Sequence, residues 1–159
     1  MDPFLNEFNE MLTTAYRNIV KVEEFMLRQF SNDKLSISEM HMLESIGKHR
    51  EAGATVTDVA QDLDITLPSV TMMVKRLEKK GFITKARSDK DARRVQIVLT
   101  PDGRRAEVAH RYFHRRMVRA ITADLEQAER DAMIAGLRKM NSFLQMSLAE
   151  FVHRKEEEL

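Results

Sequence analysis

The chain has 159 residues, a formal net charge of +1, a hydrophobic fraction of 43% and a charged fraction of 32%. These values are typical of a globular chain with one or two small domains, and they exclude a disordered chain. The absence of cysteine excludes disulfides, iron–sulfur clusters, thiolate zinc sites and thiol-based redox switches. The acidic start lacks the basic region of a signal peptide, and no uncharged apolar run reaches about 18 residues, so we expect a cytoplasmic protein without a membrane span.

Basic residues are concentrated in one part of the chain. Residues 1–74 carry a net charge of −6 and residues 120–159 a net charge of −3. Residues 75–119 carry fifteen basic and five acidic side chains, a net charge of +10. Such a block favours nucleic acid or an anionic membrane as a partner, although a solvated, charge-rich helical face is an alternative explanation.

Apolar residues recur at spacings of three and four through most of the chain, which predicts six helices. The predicted helices cover approximately residues 4–29, 36–49, 55–63, 67–80, 101–121 and 124–150. Thr66 and Pro68 are typical of a helix start and Gly81 of a helix end, which sets the limits of the fourth helix. Residues 82–86 and 95–99 are predicted to be the strands of a β-hairpin with a charged tip.

Two short helices joined by a three-residue turn and followed by a hairpin are the element order of a winged helix-turn-helix. We predict a mostly α fold, in which residues 35–100 form a winged helix-turn-helix domain with a small β-hairpin wing. Residues 1–34 and 101–159 are predicted to form a helical dimerisation lobe. In the fourth helix, Val70, Val74 or Met73, and Leu77 are predicted to face the core. The alternative is a helical hairpin beside a small sheet that binds nothing.

The opposite face of the fourth helix is predicted to enter the major groove of double-stranded DNA, where hydroxyls, a methionine and a lysine can contact base edges. The residues predicted to contact bases are Ser69, Thr71, Met72 and Lys75. Those predicted to contact phosphates are Arg76, Lys79, Arg87 and Arg94. The arginines of the hairpin tip, among them Arg93, suit a narrow minor groove.

Two parts of the chain resemble a known family. The first has VT at residues 70–71 and VKRLEKKGFI at residues 74–83, and the second has DARR at residues 91–94 followed by LTPDG at residues 99–103. They are similar to the recognition helix and the wing of the MarR family of bacterial transcription regulators, and the resemblance covers nearly the whole chain. It implies a winged helix carried on a homodimer, with the first, fifth and sixth helices in the dimer lobe. It also implies that Arg93 enters the minor groove and that Asp91 braces it.

A homodimer is also indicated by the residues themselves. The helices at the two ends of the chain have broad apolar faces that a short winged-helix segment cannot cover. A two-fold dimer would bury these faces and place two recognition helices about 34 Å apart, which matches a pseudo-palindromic operator. The alternative is a monomer in which the first, fifth and sixth helices cover one another.

Members of this family commonly respond to a ligand held between the two lobes. Residues 38–42 and 110–117 resemble a branch that represses fatty-acid-synthesis genes in streptococci, which implies an acyl ligand on an acyl carrier protein. The residues predicted to line such a pocket are Met40, His41, His110, Phe113, His114 and Met117. The alternative is that these side chains are simply core. A phenolic or drug-like effector is a further alternative.

A metal ion is another candidate effector. The histidines that could bind zinc together are His41, His110 and His114, and the second and third share one face of the fifth helix. The fourth ligand would be a carboxylate, one of Glu23, Glu24 and Glu39. The zinc-sensing branch of the family has a glutamate directly before the histidine of the second helix, where this chain has Met40. Histidines that only form hydrogen bonds are the alternative.

Catalysis is not indicated. The chain has five glycines, no glycine-rich loop, no cysteine nucleophile and no nucleophile motif around a serine, so we expect neither an enzyme nor a cofactor. Six arginines spread around the fifth helix instead of facing an apolar side, so a membrane partner is not expected. We therefore expect a DNA-binding transcription repressor associated with the bacterial nucleoid.

Overall fold

The computed structural model describes residues 2–31, 35–49, 53–87 and 95–157. Within these ranges the helices are α1 Pro3–Ser31, α2 Ile37–Lys48, α3 Val56–Leu63, α4 Leu67–Lys79, α5 Pro101–Thr122 and α6 Gln127–Glu157. The strands are β1 Ile83–Arg87 and β2 Val95–Leu99. The order and type of the predicted elements are confirmed, and the fold is a mostly helical winged helix with a two-stranded hairpin.

The limits of α6 differ from the prediction at both ends. The helix begins at Gln127 instead of residue 124, because the carboxylate of Glu129 accepts a hydrogen bond from the backbone N–H of Glu126 and caps the first turn there (2.9 Å). The helix continues to Glu157, seven residues beyond the predicted end. Apolar spacing cannot detect this extension, because the last residues are mostly charged.

Side chains at the helix starts explain why α2, α3 and α4 begin where they do. Ser36 and Glu39 form a reciprocal capping box at α2, and Thr55 and Asp58 form one at α3. Thr66 accepts a hydrogen bond from the backbone N–H of the third helical residue of α4, as its predicted role as N-cap requires. The cap at Thr66 fixes the end of the short turn between α3 and α4.

The sheet is an antiparallel pair in which Ile83 lies opposite Leu99 and Arg87 opposite Val95. Ala54, which lies between α2 and α3, forms an additional bridge with Ile97 through two backbone hydrogen bonds of 2.9 and 2.7 Å. The loop before α3 therefore pairs with the outer side of β2. This pairing attaches the hairpin to the helices that precede it.

Clustering of contacts divides the chain into two compact units, Met1–His114 and Arg115–Leu159. In the first unit, a core forms where α2, α3 and α4 pack with the hairpin. Its fully buried side chains include Met40, Met42, Leu43, Ile46, Val59, Val70, Leu77, Ile83 and Ile97. The second unit contains the end of α5 and the whole of α6. The predicted division into a DNA-binding domain and a dimerisation lobe stays a prediction.

Large apolar side chains are exposed along both long terminal helices. On α1 they are Phe4, Leu5, Phe8, Met11, Leu12, Tyr16, Ile19, Val22 and Phe25. On α6 they include Met133, Ile134, Leu137, Phe143, Leu144, Met146 and Leu148. None of the described helices is long and apolar enough to span a bilayer.

Candidate nucleic-acid interface and histidine cluster

Helix α4 has one buried face and one exposed face. Val70, Val74 and Leu77 are buried in the core, as the sequence predicts. The exposed residues are Thr71, Met72, Lys75, Arg76 and Lys79, while Ser69 is half-buried. The structure thus brings the α4 residues that are predicted to contact DNA together on one accessible surface of that helix. Their contacts with DNA stay predictions.

Several side chains on this surface are held by local contacts. The hydroxyl of Thr71 donates to the backbone carbonyl of Leu67 (2.9 Å), and its lone pairs remain able to accept a hydrogen bond. The hydroxyl of Ser69 lies 2.9 Å from that of Thr66. A guanidinium nitrogen of Arg76 (Nη2) lies 3.5 Å from the sulfur of Met72, one turn earlier on the helix. The surface is therefore partly ordered before any ligand arrives.

An ion pair between an exposed lysine and a buried glutamate connects the end of α4 to the start of α2. The ammonium group of Lys80 donates to both carboxylate oxygens of Glu39 at 2.7 Å, and Glu39 is 3% exposed. Burial disfavours the charge of Glu39, but the hydrogen bonds from Lys80 and Ser36 outweigh it and hold its pKa below the ordinary value. Sequence reasoning considered Glu39 only as a metal ligand, and the structure assigns its carboxylate to Lys80 and Ser36 instead.

This ion pair predicts a pH dependence of stability. Because the pKa of Glu39 is lowered in the folded chain, its contribution is present above the unfolded pKa of about 4.3 and is lost as the pH falls below it. The variant Glu39→Gln should cost about 2 kcal/mol of unfolding free energy at pH 7, and less at pH 3. Urea unfolding of both proteins at the two pH values measures the difference. An equal difference at both values would contradict the assigned ion pair.

The end of α4 is also joined to the hairpin and to α5. The hydroxyl of Thr100 donates to the backbone carbonyl of Gly81 (2.7 Å) and accepts from the backbone N–H of Gly103 (3.1 Å). Lys85 of β1 pairs with Glu78 of α4 at 2.6 Å. These contacts set the direction in which the hairpin leaves the helix.

The predicted contacts of the hairpin tip cannot be placed. Asp91, Arg93 and Arg94 lie outside the described residues. Arg87 is the last residue of β1, and its side chain is likewise outside the described part of the chain. The wing contacts with DNA therefore stay predictions.

A second group of polar side chains lies within the first unit, where α1, α2 and α5 supply histidines and glutamates. His110 is 1% exposed, and its Nδ1 lies 2.8 Å from a carboxylate oxygen of Glu44. Its Nε2 lies 3.3 Å from Nε2 of His114. The carboxylate oxygen Oε1 of Glu23 lies 3.3 Å from Nε2 of His114 and 3.8 Å from Nε2 of His110. The ring of His41 lies 5.9 Å from that of His110.

The protonation states in this cluster follow from its geometry. Burial opposes the charge of Glu44, but the hydrogen bond from His110 and the neighbouring imidazoles outweigh it and lower the pKa of Glu44. Because a carboxylate only accepts hydrogen bonds, His110 donates from Nδ1, which leaves Nε2 as an acceptor in the neutral ring. Burial, followed by the electrostatic influence of His110, lowers the pKa of His114 below its ordinary value.

The structure therefore brings together the three predicted histidines and adds one carboxylate that the sequence analysis missed. Two overlapping triads have ligand atoms within 4.8 Å of one another: Glu23, His41 and His110, and Glu44, His110 and His114. Glu23 is the predicted carboxylate that reaches this position, and Glu24 is exposed. Glu44 could have been found, because it lies three residues after His41 on the same face of α2.

The other residues predicted to line a ligand pocket are dispersed. Met40 is buried in the core of the first unit. The ring of Phe113 lies 5.4 Å from that of His114, at the edge of the cluster. Met117 belongs to the second unit. A cleft of about 410 Å³ lies between α1 and the start of α2, where Leu27, Leu35 and Ile37 contribute to its wall. Ligand contacts of these residues stay predictions.

Comparison with known proteins assigns the family. The model of the MarR family matches residues 35–95. A Streptococcus pneumoniae FabT structure in complex with DNA is 35% identical, with a TM-score of 0.77, over 89% of this chain and 97% of that chain. A Staphylococcus aureus MepR–DNA complex is 26% identical, with a TM-score of 0.68, over 86% and 96%.

Among curated proteins, the Bacillus subtilis transcriptional repressor MdtR is 28% identical over 52% of this chain and 52% of its own length. The chain thus spans about half the length of the first curated relatives it matches. The matched proteins are transcription regulators, in agreement with the expectation that the chain is not an enzyme. The winged helix, the family match and the extent of the likeness to FabT are consistent with one another. The chain belongs to the MarR family of transcription regulators.

Proposed function

We propose that the chain is a sequence-specific transcription repressor that binds double-stranded DNA through α4. The observation that carries the proposal is the exposed face of α4, where Met72, Lys75 and Arg76 are accessible while the opposite face is fixed in the core. The high positive charge of residues 75–119 supplies attraction to phosphates. Two of the similar structures are complexes with DNA, and one curated relative is named a repressor.

The proposal is tested by selecting duplexes from a random-sequence library with the full chain. The recovered duplex and a scrambled duplex of equal length are then titrated by fluorescence anisotropy at about 50 and about 200 mM salt. An affinity that depends on phosphate contacts falls strongly between these two concentrations. We expect binding at least about 1,000-fold tighter to the selected duplex, with a steep salt dependence for both. Equal affinity for the two duplexes would contradict sequence-specific binding.

We propose that the protein acts as a homodimer. The exposed apolar side chains of α1 and α6 form larger surfaces than a monomer normally leaves in water. A second copy would cover them by presenting the same surfaces, as a two-fold interface requires. Such a dimer places two α4 helices against one duplex.

The variant Phe8→Glu tests this assembly, since Phe8 is exposed on α1 and stacks with Phe4 at 5.9 Å between ring centroids. A charge there would be buried in the interface, so we expect a monomer by light scattering at micromolar concentration. We also expect more than tenfold weaker operator binding, because one of the two α4 helices is lost. The control Glu7→Gln, a polar change one residue earlier, should stay dimeric. A dimeric Phe8→Glu would contradict the assignment of α1 to the interface.

We propose that an effector controls DNA binding, and an acyl ligand is the first candidate. The acyl ligand is supported by the resemblance of residues 38–42 and 110–117 to the fatty-acid-synthesis repressor branch. With such a ligand, the protein would regulate genes of lipid metabolism. The cleft between α1 and α2 has a mixed lining, in which Leu27, Leu35 and Ile37 supply apolar wall beside Ser38 of the first of these segments. A phenolic or drug-like ligand is the alternative for the same cleft.

The histidine cluster favours a second candidate effector, a zinc ion. In a tetrahedral site with Zn–N distances of about 2.0–2.1 Å, ligand atoms lie about 3.3 Å apart. The Nε2 atoms of His110 and His114 have this separation, as do Nε2 of His114 and Oε1 of Glu23. Glu44 accepts a hydrogen bond from the Nδ1–H group of His110. This bond orients the ring so that its Nε2 can bind a metal ion.

Zinc binding is tested with the variants His41→Ala and His114→Ala, which remove one histidine from each triad, and with His49→Ala as a control outside the cluster. Competition with a fluorescent chelator should show at least tenfold weaker zinc affinity for His114→Ala, and unchanged affinity for His49→Ala. Operator titrations with zinc, with long-chain acyl carrier protein and with salicylate then identify the class of effector. Equal zinc affinity of all four proteins would exclude this cluster as the site.

A further inference from the structure

The sulfur of Met72 combines three properties found together at no other methionine whose side chain the structure describes. Met72 is 52% exposed, it lies on the face of α4 proposed to contact bases, and its Sδ is 3.5 Å from Nη2 of Arg76. Met40 and Met42 are buried in the core. Met11, Met133 and Met146 are exposed but belong to the apolar surfaces of α1 and α6. The chain has no cysteine thiol to react with an oxidant first.

We propose that Met72 is an oxidation site at which conversion to methionine sulfoxide releases the protein from DNA; this rests on the proposed function of α4. The oxidant is a two-electron oxidant, hydrogen peroxide or hypochlorous acid. With hydrogen peroxide, the sulfur lone pair attacks one oxygen, the S–O bond forms and the O–O bond breaks. The departing hydroxide takes the proton of the new S–OH group, which leaves the sulfoxide and water. With hypochlorous acid, the sulfur bonds to chlorine as the Cl–O bond breaks, and the departing hydroxide takes a proton from solvent to become water. A water molecule then replaces chloride on sulfur and loses two protons, which leaves the same sulfoxide. In both cases sulfur loses two electrons and the oxidant gains them.

The contact with Arg76 explains why this oxidation should act on DNA binding. A thioether sulfur is a weak acceptor, so the guanidinium is free to turn toward a phosphate. The sulfoxide oxygen is a strong acceptor at the same place, and it would hold Arg76 against the helix. The side chain also becomes polar, which removes an apolar contact with a thymine methyl group. Both changes weaken binding without disturbing the core, because Met72 does not pack there.

The test uses the full chain and a duplex selected by that chain from a random-sequence library. Wild type, Met72→Leu and the control Met146→Leu are treated with dilute hypochlorous acid, quenched with free methionine and mapped by peptide mass spectrometry. Leucine cannot be oxidised, and the affinity of each treated protein is compared with that of its own untreated sample. We expect oxidation to weaken operator binding by wild type and by Met146→Leu about fivefold or more, and to leave Met72→Leu unchanged. Methionine sulfoxide reductases of both stereochemical types should restore the affinity of wild type.

The outcomes separate the inference from the function on which it rests. An untreated wild type that binds selected and scrambled duplexes equally would overturn both. Specific binding by untreated wild type, with equal losses for wild type and Met72→Leu after oxidation, would overturn the inference alone. So would complete conversion of Met72 to the sulfoxide with no change in affinity. Protection of Met72 from oxidation by prior addition of the duplex would support both.

Discussion

The substitution Gly103→Ala is expected to destabilise the protein severely. Gly103 lies in the first turn of α5, and a Cβ there would overlap the backbone carbonyl oxygen of Phe82. That carbonyl belongs to the chain between α4 and β1 and accepts a hydrogen bond from the backbone N–H of Thr100, so it cannot move without disturbing the hairpin. We expect a loss of about 3 kcal/mol or more of unfolding free energy, a large part of the stability of a small domain. Thermal and urea unfolding measure it.

Gly136→Ala is the matched control, since the same change is made in a helix where a Cβ meets nothing within 4 Å. Alanine has the better helix propensity, so this variant should gain up to about 1 kcal/mol. The two identical substitutions are thus expected to have opposite signs. A Gly103→Ala protein as stable as wild type would show that α5 does not pack against the hairpin as described.

The substitution Lys75→Ala is expected to cause the largest loss of operator binding among single changes on α4. Lys75 is exposed three residues after Met72 on the face of α4 proposed to contact bases, and a lysine so placed can reach a guanine edge. One such contact contributes about 1.4 kcal/mol, or tenfold, and a dimer contains two copies, so the operator affinity should fall about 100-fold. Binding to a scrambled duplex should fall much less. Anisotropy titration of both duplexes measures the change.

Lys79→Ala provides a comparison with a phosphate-contacting residue. It should weaken binding to both duplexes similarly and reduce the slope of log affinity against log salt by about two for the dimer. Lys139→Ala, an exposed lysine on α6, should have no effect on either quantity. Lys75→Ala binding the selected duplex as tightly as Lys139→Ala would refute the assignment of this face to base contacts.

The faces of α4 could be predicted from the sequence because burial in a helix follows a period of 3.6 residues. Val70, Val74 and Leu77 share this spacing, and they are buried as predicted. The start at Thr66 followed from the preference for a hydroxyl at the N-cap and a proline in the first turn. Both inferences depend on residues close together in the chain.

Contacts between distant segments could not be predicted in the same way. Glu39 and Lys80 are 41 residues apart, and only the packing of α2 against the end of α4 brings their charges together. Gly103 belongs to the LTPDG segment that resembles the family. The need for glycine at this position comes from the close approach of the Phe82 carbonyl, which the sequence does not reveal. The histidine cluster could be predicted in part. His110 and His114 share a helix face, which their spacing reveals, but Glu23 and Glu44 come from other helices.

Hydroxyl-radical footprinting of the selected duplex with the full chain tests most directly whether two copies of α4 bind one DNA site. Binding by a homodimer predicts two protected segments related by two-fold symmetry, with centres about one helical turn, or 10 base pairs, apart. It also predicts that both segments lose protection in Lys75→Ala at the concentration that saturates wild type. A single asymmetric protected segment, or protection that persists unchanged in Lys75→Ala, would contradict it.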